Sequence, residues 1–234
     1  MSYKNLNETW TNEEVIEPFI FRPKKPPKIF VIGFNKTGTT SIHKYFISNG
    51  YKSLHHYIPI RKSKYLKTSY IEDVMINNIK NGRKLLHNID DYDCYSDFTK
   101  HLGNKHNKNE SLGQLDPSDF YKFLDLQYPN SMFILNIRDK QKWIESRNKH
   151  RTGSIINQAI RYTGSTAEDI NNWWSNQYEA HIKDVEFYFK DKTNLLVFNI
   201  DSDSPEKINN FLDKHYKLDP KKWGKHNVKF KNLV

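Results

Sequence analysis

Cysteine is almost absent from this chain: Cys94 is the only one in 234 residues. An internal disulfide framework is therefore excluded, and a reducing compartment is the expected setting. No apolar run approaches the roughly 18 residues that a membrane-crossing helix needs. The first residues, MSYKNLNETW, lack the apolar core of a secretory signal. A soluble, cytoplasmic protein with no membrane partner is the resulting expectation. Hydrophobic residues make up only 36% of the chain, but aromatics at 14% supply volume, and the length suits one sizeable core. No zinc-ligand spacing, alternating aromatic surface or nucleic-acid motif accompanies the net charge of +10. Lysines are spread along the chain and are denser at 22–28, 61–67 and the C-terminus. The pattern reads as a solvated basic face rather than a nucleic-acid surface. No internal repeat, Ser-His-Asp set or Cys-His pair is identifiable.

What is present is an alternation of strand-like and helix-like segments. Ile29–Ile32, Tyr51–His56, Leu85–Ile89, Asp93–Ser96, Phe133–Ile137 and 195–200 read as strands. Helices are expected at 69–81, from Asp116-Pro117 onward, after Asp139, at 166–190, and from Ser204-Pro205-Glu206. In 166–190, Ile170, Trp174, Tyr178, Ile182, Val185 and Phe189 form one apolar stripe, expected in the core. The alternation predicts an α/β fold with a mostly parallel central sheet flanked by helices on both faces. Ligands of such sheets sit outside the carboxyl ends of the strands. The polar stretches 99–114 and 150–166 read as mobile loops bordering a pocket. The proline-rich run RPKKPP reads as a linker, which separates an N-terminal extension, 1–27, from a single domain, 28–234.

The most informative stretch is KIFVIGFNKTGTTSIHKYFISNG, residues 28–50. A β-branched strand is followed by a turn opened by Gly33, and then by Ile42, Tyr45 and Phe46 at helical spacing, with Gly50 as a stop. A helix start directly after a strand offers backbone N–H groups and the positive end of a dipole to an anion. Gly38 permits close backbone approach, Lys36 adds a movable charge, and Thr39 and Thr40 add hydroxyl donors. The common nucleoside-triphosphate loop places its lysine after the last glycine. Here Lys36 precedes Gly38. A second element, MFILNIRDKQKWIES at 132–146, runs from a strand through Arg138 into a helix capped by Asp139. Seven residues separate Arg138 from Ser146, so one ends the strand while the other lies about two turns into the helix, and both can meet one anion.

GxxKTGTTS resembles the 5′-phosphosulfate loop of sulfotransferases that use 3′-phosphoadenosine 5′-phosphosulfate (PAPS). The Arg138/Ser146 spacing resembles that family's 3′-phosphate element. The resemblance covers most of 28–227, in the branch with KTGTT loops and an RDxxxW motif. It includes YDCYSDF at 92–98 and the segment from Trp173 to Ile200 with Tyr178, His181, Val185 and Phe189. Trp223-Gly224-Lys225-His226-Asn227 matches the family's C-terminal donor segment more loosely, without its usual proline; residues 1–27 and 99–114 have no counterpart. The resemblance implies a three-layer P-loop-type fold and transfer of a sulfuryl group from PAPS to a hydroxyl or amine of a small-molecule or glycan acceptor. It implies donor binding by Asn35, Lys36, Thr37, Gly38, Thr39, Thr40, Ser41, Arg138, Ser146, Lys225, His226 and Asn227, with Lys36 also stabilising charge on the bridging oxygen. No metal is expected, because the lysine and the loop amides supply the neutralisation. The basic charge would then attract the polyanionic donor or an acidic acceptor. Asp97, closing a strand between the two donor elements, is the first choice of general base; His55, His56, Asp93 and His101 stay open. A P-loop kinase or NTPase, and a non-catalytic adenosine-phosphate or polyanion-binding protein, remain the alternatives.

Overall fold

The computed structural model describes residues 25–68, 70–98 and 117–224. Five short strands form its one sheet: β1 (Ile29–Val31), β2 (Ser53–His55), β3 (Cys94–Ser96), β4 (Met132–Ile137) and β5 (Leu195–Asn199). All pairings are parallel, in the order β2-β3-β1-β4-β5. Parallel strands covered on both faces need apolar residues at successive positions, and β1 is fully buried along its length. Its alternate side chains enter opposite cores. Phe30 and Ile32 join Tyr95, Phe133 and Leu135 on one face, where α3 (Ile71–Lys80), α4 (Pro117–Gln127) and α7 (Ala167–Phe189) pack through Met75, Leu124, Val185 and Phe189. Ile29 and Val31 join Cys94, Ile134 and Phe198 on the other, beneath α1 (Thr39–Ser48) and α8 (Pro205–Leu212) through Tyr45, Phe46, Ile208 and Leu212. Each fully buried Phe or Leu contributes roughly 1.5–3 kcal/mol relative to exposure. The result is the three-layer α/β arrangement expected from the alternation of segments.

From β1 the chain runs through α1 to the β2 side of the sheet. From β4 it runs through α5 (Lys140–Asn148), α6 (Ser154–Thr163) and α7 to β5 on the other side. Connections that depart in opposite directions from neighbouring strands open a crevice at their carboxyl ends. A third cluster supports its floor: Phe34, from the turn after β1, packs with Trp143, Ile155, Ile156, Ile170, Trp174 and Tyr178.

The structure revises two sequence expectations and adds one helix. Leu85–Ile89 is a turn, not a strand. Its leucines are buried, but its backbone is bonded by side chains: Asn78 donates to the carbonyls of Leu85 and His87, and the amides of Leu85 and Leu86 donate to Gln127 and Tyr128. The stretch 150–166 is largely helical, because Ile155, Ile156 and Ile160 form an apolar face bounded by left-handed Gly153 and Gly164. A surface helix, α2 (Ile60–Leu66), buries no residue and gave no apolar period to read. Asp139 caps α5 as expected, accepting from the Lys142 amide at 2.9 Å. The cap position Asp116 and the stretch 99–114 lie outside the described residues. Among the described residues, no helix is long and apolar enough to cross a membrane.

Candidate functional site

The turn after β1 is held from β4 and α5 as well as by its own Thr37. A Cβ on Gly33 would lie 1.9 Å from the Asn136 carbonyl oxygen, so only glycine lets β1 and β4 approach this closely. The Asn136 carboxamide then staples the turn. Its Oδ1 accepts from the Gly33 amide at 2.8 Å, while its Nδ2 donates to the Thr37 carbonyl and hydroxyl. The Thr37 hydroxyl in turn donates to the Phe34 carbonyl. From α5, the Trp143 indole N–H donates to the Asn35 carbonyl at 2.8 Å. Arg147 donates to Asn35 Oδ1 at 3.2 Å and lies between the Trp143 and Trp174 rings, 4.9 and 4.0 Å from their centroids. Gly38, at φ 90°, occupies the N-cap of α1 and supplies no capping side chain. A helix start without a side-chain cap at its N-cap is one that an anion can serve.

The end of β4 is equally constrained. The Tyr178 hydroxyl donates to the Arg138 carbonyl at 2.7 Å and accepts from its amide at 2.9 Å. The Arg138 guanidinium donates to the Lys36 carbonyl at 3.2 Å and lies 3.4 Å from Asp201 Oδ1. Asp201 also accepts from the Asp139 amide at 3.1 Å. Arg138 Nε is buried without a hydrogen bond among the described residues, a donor left over for a ligand.

A cavity of about 480 Å³ opens over these elements and takes residues from the carboxyl end of every strand. Asn35, Lys36 and Gly38 to Ser41 follow β1; His55, His56 and Tyr57 end β2; Asp97 ends β3; Arg138, Ser146, His150 and Arg151 follow β4; Ile200 and Asp201 follow β5. Lys36 Nζ lies 3.0 Å from His150 Nδ1. Burial lowers the pKa of both groups, which favours a neutral imidazole at His150. Asp97 Oδ1 is shielded from solvent and has no hydrogen-bond partner among the described residues. Its other oxygen lies 3.7 Å from His55 Nε2. Burial pushes the Asp97 carboxyl up to about 7, against the opposing pull of Lys36 and Arg147. Burial also drives His55 down to about 3, which keeps it neutral. His55 is held by Ser96 Oγ at 3.0 Å and Thr40 Oγ1 at 3.3 Å.

Backbone strain collects at the same place. Eight non-glycine residues among those described have positive φ, and four of them line the cavity: Lys36 (69°), His56 (57°), Asp97 (54°) and Arg151 (43°). Each costs on the order of 1 kcal/mol and persists only where its surroundings fix it.

Most of the residues singled out from the sequence therefore meet in one cavity: Asn35, Lys36, Gly38, Thr39, Thr40, Ser41, Asp97, Arg138 and Ser146, with His55 and His56 beside them. Thr37 is not among the lining residues; it is fully buried, with its hydroxyl spent on the turn itself. Asp93 sits at the opposite end of β3, where its carboxylate accepts from the Lys52 amide. Lys225, His226, Asn227 and His101 lie outside the described residues. Sequence reasoning missed Tyr57, His150, Arg151, Asp201 and the staple Asn136. The one available signal for Asn136 was a polar residue inside the otherwise apolar strand MFILNI. Among the described residues, no group of three or more His, Cys, Asp or Glu side chains is arranged to hold a metal.

A family model described as a sulfotransferase domain matches residues 28–158. That span is more than half of the chain and carries the β1 turn, Asp97, Arg138, Ser146, His150 and Arg151. No curated protein matches the chain.

Proposed function

Because the chain belongs to the sulfotransferase family, we propose that it transfers a sulfuryl group from PAPS to a hydroxyl or amine of an acceptor. The observation that carries this function is the meeting of two anion-binding elements, about a hundred residues apart in sequence, beside a buried carboxyl in one cavity. In the proposed reaction the acceptor's lone pair attacks sulfur in line with the departing phosphate. The bond from sulfur to the bridging oxygen breaks, its electron pair stays on the 5′-phosphate, and PAP (3′-phosphoadenosine 5′-phosphate) leaves. The acceptor proton passes to the Asp97 carboxylate, whose raised pKa makes it a stronger base than an ordinary aspartate. Lys36 and the amides at the start of α1 stabilise the charge that builds on the bridging oxygen. To reach it, Lys36 exchanges its contact with His150 for the donor. Arg138 and Ser146 take the 3′-phosphate, with Arg138 turning toward it from Asp201. No step is assigned to a metal.

The test is a pair of measurements. PAP should raise the melting temperature by several degrees, and Arg138→Ala should remove most of that shift. Labelled PAPS should yield a sulfated product with at least one member of a broad acceptor panel. A shift with ATP and magnesium but not with PAP would replace this function with that of a P-loop kinase or NTPase. Tight PAP binding with no product across the panel would leave a non-catalytic binding protein.

A further inference from the structure

Among the described residues, Arg151 is a cation without an ion-pair partner. It lines the cavity, yet among the described residues it makes no hydrogen bond or ion pair. The other cations of the site are engaged: Arg138 with Asp201 and the Lys36 carbonyl, Arg147 with Asn35 and two indoles, Lys36 with His150. Nor does Arg151 hang on a loose segment. It opens a left-handed turn, φ 43° at Arg151, 58° at Thr152 and 87° at Gly153, that joins α5 to α6. The turn is closed by Ser154, whose amide and hydroxyl both donate to the His150 carbonyl, at 2.8 and 3.1 Å. Ile155 and Ile156 then anchor α6 in the core.

The position of Arg151 separates it from the Arg138 end. Its charge reaches the Tyr57 phenol together with that of Asp97, and it reaches His150, whereas Lys36 feels Arg138 and Arg151 alike. Arg138 instead faces Tyr178 and Asp201. Tyr57 is half exposed and is braced by the His56 and Tyr70 rings at 4.2 and 5.1 Å. A fixed aromatic wall, a carboxyl and an uncompensated guanidinium thus share the side of the cavity that the proposed donor does not need.

We propose that Arg151 is an anion subsite for the acceptor, so that the acceptor is a hydroxyl or amine compound bearing a carboxylate or sulfate near the reacting atom. This rests on the donor assignment above. Lys36, Arg138 and Ser146 are matched to the donor's charged groups, whereas a neutral acceptor would leave Arg151 uncompensated beside Lys36. A carboxylate or sulfate compensates it through a paired, charge-assisted contact and holds the nucleophile toward Asp97.

The experiment is a calorimetric titration of the full chain, saturated with PAP, using matched probes. One pair is 4-hydroxybenzyl alcohol and 4-hydroxybenzoate; the other is a neutral disaccharide and its uronate or sulfated counterparts. The anionic member of at least one pair should bind about 10-fold more tightly than the neutral one. Arg151→Gln should abolish that preference and Arg151→Lys should keep part of it, with PAP affinity unchanged in both. The carboxylate and sulfate arms show which anion is preferred. A preference that survives Arg151→Gln, equal binding within every pair, or no binding of any anionic probe at millimolar concentration would overturn the subsite. A loss of PAP affinity in Arg151→Gln would overturn it too, by assigning the residue to the donor. If PAP itself fails to bind, the donor assignment falls, and the same titration of the unliganded chain still reads the charge preference.

Discussion

Where β1 and β4 emerge, the cavity wall is backbone held in place by buried side chains. Asn136, Trp143 and Arg147 fix the turn 33–38, and Tyr178 clamps both the amide and the carbonyl of Arg138. Where β2 and β3 emerge, the wall is side chain against side chain: His55 between Thr40 and Ser96, Asp97 with one oxygen unpaired among the described residues, Tyr57 on His56. The first end presents amides and fixed positive charge, suited to a ligand of constant shape. The second holds titratable groups in strained conformations, so its properties depend on pH and on occupancy. Substitutions should therefore act in kind at one end and in degree at the other.

The largest effect is expected at Lys36. In the proposed reaction Lys36→Ala removes the charge that meets the developing oxyanion, and kcat should fall by roughly 100- to 1000-fold. PAP affinity, measured by titration, should fall far less, because Asn136, Trp143 and Arg147 keep the turn in place. A collapse of PAP binding equal to the loss of kcat would mean that Lys36 only binds ground-state charge.

Next is Asp97→Asn, which should lower kcat by about 100-fold while leaving PAP affinity within a few-fold of wild type. In the wild type, kcat/KM should rise with pH through about 7 as the carboxyl ionises. Stability should show the opposite sign. Because the folded carboxyl holds its proton more tightly than the unfolded one, between pH 4 and 7 the native state binds more protons and loses stability as pH rises. Asp97→Asn should therefore be more stable than wild type by roughly 4 kcal/mol at pH 8 and no more stable at pH 4. Histidines work in the other direction. His55 is driven down to about 3, and His43 and His181 to about 4, by burial, so the unfolded chain gains protons first as pH falls from 6.5. Acid destabilisation over that window should survive in Asp97→Asn, as melting curves at pH 4 to 8 would show. A variant with a flat profile would mean that the histidines are not buried as neutral groups.

The same contrast explains what could be read from the sequence. The first end is built from short contiguous elements, strand–turn–helix and strand–Arg–helix, whose spacing is visible in a linear string. Lys36, Gly38, Arg138 and Ser146 were legible for that reason. The second end comes from residues brought together only by sheet order: His55 pairs with Ser96 across 41 residues of sequence, and Asp97 follows Ser96 directly. Asp97 could be singled out by its place after a strand, but its meeting with His55, Tyr57 and Arg151 could not. His150 and Arg151 were hidden by polar composition, which resembled a loop until Ile155, Ile156 and Ile160 were seen to fold the stretch into α6. Asn136 and Arg147 were missed for a different reason. Each is polar at a position where periodicity predicts only packing or solvent, and its partner lies about a hundred residues away.

A substitution behind the turn should have an intermediate effect. Arg147→Met preserves much of the volume between Trp143 and Trp174 but loses the bond to Asn35 Oδ1 and both cation–π contacts. Contacts of this kind are worth about 1–2 kcal/mol when desolvated, so PAP affinity should weaken about 10-fold. The temperature midpoint should also drop by a few degrees. Arg147 also holds the Asp97 carboxyl down, so its loss should move the rising limb of kcat/KM upward in pH, an effect that packing damage alone does not produce. An unmoved limb would confine Arg147 to the first end of the cavity.

The smallest expected effect is the cleanest probe of backbone anchoring. Trp143→Phe keeps an aromatic ring against Phe34 and Tyr178, whose centroids lie 5.5 and 4.6 Å from the indole, and deletes the N–H that donates to the Asn35 carbonyl. Leaving that buried carbonyl unpaired should cost about 1–2 kcal/mol of stability. The Asn136 staple is untouched, so PAP affinity should change by no more than about 5-fold, and Asp97 should titrate as in wild type. If Trp143→Phe instead shifts the pH profile as far as Arg147→Met does, the two ends are coupled through the turn, and their separate response to substitution disappears.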